Sequence, residues 1–126
     1  MSRPYDLFVD NFPTIDDVRQ TLERCLGVRF IRHDSHGELL YDTLIDNIYL
    51  MLSSHEYEND AGIDFESYKF DLSIEPHGIF DGNEALKRQA EYGLFVFEKL
   101  KHLGIHKIML IENLQKVVAR FSPLGQ

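Results

Sequence analysis

"YKFDLSIE", residues 68–75, alternates strictly: Tyr68, Phe70, Leu72 and Ile74 project to one side, Lys69, Asp71, Ser73 and Glu75 to the other. Period-two alternation over eight residues marks a strand with one face on a core and one face toward water. Pro76 and Gly78 end it. Half-wet strands of this kind belong to antiparallel sheets backed by helices on one side. The strand is therefore expected to lie centrally, with its apolar side against a long downstream helix.

That helix is expected from about Glu84 to His102, with Asn83 as N-cap. Leu86, Ala90, Leu94, Phe97 and Leu100 form its apolar stripe, which Gly93, Phe95 and Val96 widen. Lys99, Lys101 and His102 complement the negative end of the helix dipole, and Gly104 caps it. Strands at Lys107 to Ile111 and Gln115 to Phe121 complete the C-terminal part.

Upstream, Thr14 is an N-cap, Asp16 and Asp17 lie near the positive helix end, and Gly27 is a left-handed stop. Ile15, Val18, Leu22, Cys25 and Leu26 recur at helical spacing between them, so a helix runs from Ile15 to Leu26. Val28 to Arg32 alternates, and "HDSHGE" (33–38) is a turn. Leu39 to Ile45 and Ile48 to Ser54 form two strands around Asp46-Asn47, a hairpin-turn pair. Leu40, Leu44, Ile48 and Leu52 also fit a helix of period near four, and that alternative stays open. The order α-β-β-β-β-α-β-β argues for an α+β fold, with a mostly antiparallel sheet of about six strands and two main helices. At 126 residues, the chain is expected to form a single domain, 1–126.

Charge is unevenly placed. From Glu56 to Glu84 there are nine acids and one base, Lys69, whereas the remainder has twelve of each. The formal net charge of −8 thus resides in one quarter of the chain. Such a surface argues against nucleic acid and anionic membranes as partners, because phosphate binding needs a basic face. No apolar run approaches a membrane span, and the N-terminus lacks the apolar core of a signal peptide. The single cysteine, Cys25, cannot form an internal disulfide and reads as a core-facing small hydrophobe, so a cytoplasmic location is expected.

Metal and enzyme motifs fail on spacing. "HEYEN" (55–59) begins like the helical H-E-x-x-H zinc motif, but Asn59 stands where the second histidine belongs. The other histidines are scattered over turns and helix ends. "NDAGIDFE" (59–66) does not fit the EF-hand pattern. No metal, cofactor or catalytic residue is expected. Paired carboxylates such as Glu56 and Glu58 could do acid–base work only inside an apolar pocket. A solvated acidic loop and a recognition surface both remain open for Glu56, Tyr57, Glu58, Asp60, Asp64 and Glu66. The aromatics Tyr57, Phe65 and Tyr68, interleaved with the acids, favour recognition, since aromatics beside charges commonly anchor interfaces.

"LSSHEYENDAGIDFESYKFDLSI", residues 52–74, resembles small bacterial immunity proteins of contact-dependent growth inhibition and other polymorphic toxin systems. The resemblance rests on His55, Glu56, Tyr57, Glu58, Asn59 and Asp60, followed by the strand with Tyr68 and Phe70. It implies a non-enzymatic inhibitor whose partner is a cognate toxin domain, often a basic nuclease. The acids from Glu56 to Glu66 would then stand in for phosphate. The alternative is a small cytoplasmic enzyme or accessory subunit that uses acidic residues in a pocket.

Overall fold

The computed structural model describes residues 5–77 and 82–123. A single antiparallel sheet of seven strands carries two helices on one face. The strands are β1 (Tyr5–Asp10), β2 (Ile31–Ser35), β3 (Glu38–Ile45), β4 (Ile48–Ser54), β5 (Phe70–Pro76), β6 (Lys107–Glu112) and β7 (Lys116–Phe121). The helices are α1 (Ile15–Leu26) and α2 (Gly82–Leu103). Spatially the strands run β2-β3-β4-β5-β1-β6-β7, so β5 is the middle strand, as its alternation predicts.

Local chemistry explains α1 from end to end. The Thr14 hydroxyl accepts from the Asp17 backbone N–H, and the Asp17 carboxylate accepts from the Thr14 N–H, forming a capping box. Gly27, at φ 69°, closes the helix in the left-handed region. Asp16 fastens α1 to the sheet by accepting from Arg19 Nε at 2.7 Å and from the Tyr41 hydroxyl at 2.9 Å. Asp46 and Asn47, at φ 46° and 65°, make the two-residue turn between β3 and β4. That settles residues 39–54 as a hairpin, because a helix cannot accommodate two consecutive left-handed residues.

The helix-covered face holds the main core. Leu7, Leu50, Leu52, Leu72, Ile74, Ile108 and Leu110 are fully buried there, against Val18 and Leu22 of α1 and Val96, Phe97 and Leu100 of α2. Cys25 packs at its margin, as expected. Gly93 lets α2 lie close to the sheet: a Cβ there would come within 3.3 Å of a Leu110 methyl.

Four expectations need correction. The N-terminal strand β1 was not foreseen, so the sheet has seven strands and the chain begins β-α. The second strand lies at Ile31–Ser35, later than Val28 to Arg32, because Val28 is drawn into the core beneath the α1 exit. α2 starts at Gly82, which places Asn83 inside the helix. Its buried stripe is Gln89, Gly93, Val96, Phe97 and Leu100, while Leu86, Leu94 and Phe95 are exposed. A hydrogen bond fixes this rotation: Gln89 donates its side-chain N–H to the Ile74 carbonyl of β5 at 2.7 Å. Finally, Tyr68 does not share the core of Phe70, Leu72 and Ile74; it lies on the opposite side of the sheet. Gly78 and Asp81, which entered the reading of strand end and charge, lie outside the described residues.

Candidate functional site

The second face of the sheet is not left wet. Residues 55–69, between β4 and β5, cross over it and bury Ile63, Phe65 and Tyr68 against Phe8 of β1 and Met109 and Ile111 of β6. Phe65 meets Phe8 edge-on at 5.1 Å between ring centroids, and Lys107 of β6 sits 4.5 Å over the Tyr68 ring. A second, smaller core results. The apolar residues of the acidic segment point into it, and its acids face out.

Within the segment, three of the five acids, Asp60, Asp64 and Glu66, sit in defined local frames. Asp60 and Ile63 exchange backbone hydrogen bonds around Ala61 and Gly62, both with positive φ, giving a tight hairpin-like turn. Asn59 and Glu66 bond reciprocally: each backbone N–H donates to the other's side chain, at 3.0 and 2.9 Å. Asp64 caps the 3-10 turn Phe65–Ser67 by accepting from the backbone N–H and hydroxyl of Ser67. The Ser67 hydroxyl is the main reason its carboxyl is held below the ordinary range. Glu56 and Glu58 are exposed, Glu56 at the edge of a cleft on this face.

The sequence-derived residues are therefore brought onto one outer surface, but not into one pocket. Tyr57 differs from the rest: it is 43% exposed, and its ring leans on Phe8, Phe65 and His55. His55 fastens the start of the segment. Its Nδ1 accepts from the Tyr57 backbone N–H at 3.1 Å, which leaves the proton on Nε2 to donate to the Tyr68 carbonyl. Burial holds this imidazole below its ordinary pKa, and the neutral tautomer is the one that fits these two hydrogen bonds.

Sequence reasoning missed the most unusual groups. Asp6 of β1 and Asp71 of β5 lie on the second face, diagonal across hydrogen-bonded strands, since Asp71 faces Phe8 and Asp6 faces Ser73. Both are buried, and Asp71 is only 6% exposed. Among the described residues no N–H or O–H donor reaches the buried Oδ1 of Asp71. Burial, then the negative charge of Asp6, then their mutual hydrogen bond push the Asp71 carboxyl well above the carboxylate range. Asp6 is also raised by burial and by Glu75, though its hydrogen bond with Asp71 pulls the other way. The two groups titrate as a unit, in which the more strongly raised Asp71 holds its proton longer than Asp6.

These two carboxyls floor a cleft of about 550 Å³ bounded by the start of the acidic segment. Tyr57 and His55 stand at its rim, Glu75 lies one step along β5, and Met51 and Leu114 supply apolar wall. Burial raises the Tyr57 phenol, and Asp71 and Asp6, once ionised, raise it further. In sequence, Asp71 and Glu75 look like ordinary wet-face acids. Only the return of residues 55–69 over that face distinguishes them.

Among the described residues, no group of three or more His, Cys, Asp or Glu is arranged to hold a metal ion. Nor, among them, is any helix long and apolar enough to cross a membrane. No family model matches the chain, and neither a characterised protein nor a solved structure is detectably similar to it.

Proposed function

We propose that this protein is an immunity protein: an inhibitor that binds a cognate basic toxin domain through an acidic surface and blocks its access to substrate. The observation that carries this reading is the anchoring of the acidic segment. Ile63, Phe65 and Tyr68 pin it to the sheet, so its exposed carboxylates form a largely preset array. A preset array loses less conformational entropy on docking than a free loop. Clustered negative charge also speeds encounter with a basic partner. The resemblance read in residues 52–74 is what suggests a toxin domain as that partner. Tyr57, half-exposed beside the acids, is the aromatic anchor, and Glu56, Glu58, Asp60, Asp64 and Glu66 supply charge.

The competing reading is a small enzyme, and the Asp6–Asp71 pair is the observation in its favour, since perturbed carboxyls cluster at catalytic sites. It is the weaker reading because the adjacent imidazole of His55 has both ring nitrogens committed to backbone groups. The deciding experiment replaces Glu56, Glu58, Asp60, Asp64 and Glu66 together with Gln or Asn. Isothermal titration against the toxin domain encoded beside the gene, at two salt concentrations, should show weaker binding with a flatter salt dependence. Equal binding and protection by the neutralised variant at both salts refutes the acidic-surface reading.

A further inference from the structure

We propose that the cleft over Asp6 and Asp71 is a socket for a single guanidinium group, taking one arginine side chain of the docked partner. The inference deepens the binding reading and rests on it for the identity of the partner, though the chemistry of the cleft stands by itself. Asp71 is a buried carboxyl whose Oδ1 meets no donor from the described residues. An acceptor so placed is satisfied by a retained proton in the free protein and, once that proton leaves, by a donor that enters the cleft Asp71 lines and to which the carboxyl turns. Asp6 adjoins it and Glu75 adjoins Asp6 in turn, so the negative field of the cleft favours a cationic donor.

The walls specify which cation. Two carboxyls diagonal across adjacent strands present several acceptor oxygens, and the forked guanidinium offers five donors to match them. The Tyr57 and His55 rings at the rim are surfaces on which a guanidinium plane stacks. Met51 and Leu114 can cover the methylene stem. A divalent metal needs several oxygen ligands converging on one point, and no such grouping occurs among the described residues.

Docking exchanges one positive charge for another. The guanidinium N–H groups replace the proton shared by Asp6 and Asp71, and that proton passes to water. The titratable groups facing the site are Asp6 from β1, Asp71 and Glu75 from β5, and His55, Glu56 and Tyr57 from the segment crossing the sheet; β4 contributes only the uncharged Met51, Ser53 and Ser54. With His55 neutral, the shared proton dominates the linkage. Affinity therefore rises with pH, by up to about tenfold per pH unit while the pair still holds its proton.

The test uses the full chain alone, labelled with nitrogen-15, and two probes: N-acetyl-arginine methylamide and its uncharged isostere, N-acetyl-citrulline methylamide. The arginine probe should shift the amides of Asp6, Asp71 and Ser73, bind more tightly at pH 7.5 than at pH 5.5, and weaken at least about tenfold in Asp71→Asn. The citrulline probe should leave the same amides in place. Asp71→Asn is isosteric, its own spectrum reports its fold, and Asp6→Asn repeats the test from the neighbouring strand. Equal responses to the two probes, or parental arginine binding by both Asn variants, overturns the socket. Arginine binding without neutralisation of any basic toxin domain upholds the socket and refutes the inhibitor reading. Full neutralisation of the toxin domain by Asp71→Asn at parental affinity does the reverse.

Discussion

Phe65→Ala tests whether the acidic segment is held by its own buried side chains. Phe65 is 3% exposed and packs edge-on to Phe8 at 5.1 Å, with Tyr57 a further 5.9 Å neighbour. Truncating a buried Phe typically costs about 3–5 kcal/mol in transfer and cavity terms. The edge-to-face contact accounts for about 0.5–1.5 kcal/mol of such a loss. The cavity would open over Phe8, Met109 and Ile111, all fully buried, so the segment cannot peel away without wetting them. A loss near the lower end, about 3 kcal/mol, is expected, because a loop settles into a void more readily than a helix does. At this chain length that is a drop of roughly 10–15 °C in Tm. Urea denaturation measures the loss, and hydrogen exchange at the Ile63 amide, which donates to the Asp60 carbonyl at 2.8 Å, reports whether the segment has loosened. Glu58→Gln, on the outer side of the same segment, is the control and should leave both measurements unchanged. A loss below about 1 kcal/mol with unaltered Ile63 exchange would refute the anchoring argument.

Leu72→Ala, in the middle of the central strand and fully buried, should cost about 2–5 kcal/mol by urea denaturation. Asp71→Asn should stabilise the protein at neutral pH: a carboxyl raised in the native state contributes stability below its unfolded pKa and loses it as pH rises through the native value. The advantage of the variant should widen from pH 4 to pH 8 in thermal melts, and a variant less stable than the parent at pH 7.5 contradicts the assignment. His106 stacks on Phe12 at 3.8 Å, and burial holds its imidazole below the usual value. The unfolded chain therefore binds the proton first, and stability falls as pH drops below about 6.5 toward the native pKa. His106→Gln should flatten that part of the pH–stability curve, and an undiminished slope would assign the effect to His55, which burial shifts in the same direction.

The elements legible in the sequence are those set by neighbours along the chain. α1 was readable to the residue because Thr14, Asp17 and Gly27 carry its ends, and Asp46-Asn47 fixed the β3–β4 hairpin in the same local way. β1 was not, because "YDLFVD" buries both faces: Leu7 packs under the helices and Phe8 under residues 55–69, which erases the alternation that reveals a half-wet strand. Tyr68 was misassigned for a related reason. The alternation runs smoothly through it, but the 3-10 turn at Phe65–Ser67 delivers it to the opposite face before the strand begins. The acidic segment was visible as a concentration of charge, whereas the Asp6–Asp71 pair depends on residues 65 apart in the chain meeting across β1 and β5 under a covering loop. Composition and spacing carry no trace of that meeting.

The placement of β1 bears on how the chain comes to be folded as it is made. β1 precedes the other strands of the sheet along the chain, yet both its neighbours, β5 and β6, are encoded far downstream. Its Tyr5 hydroxyl ends 3.0 Å from the Glu112 carboxylate, 107 positions away. The β2–β3–β4 meander can assemble as it emerges from the ribosome, but the middle of the sheet must wait until β5 and β6 have been made. Long-range closure of this kind folds slowly. Until β5 and then β6 arrive, Leu7, Phe8 and Val9 form an unpaired apolar stretch, the kind of transiently exposed strand that makes a partly made chain prone to association.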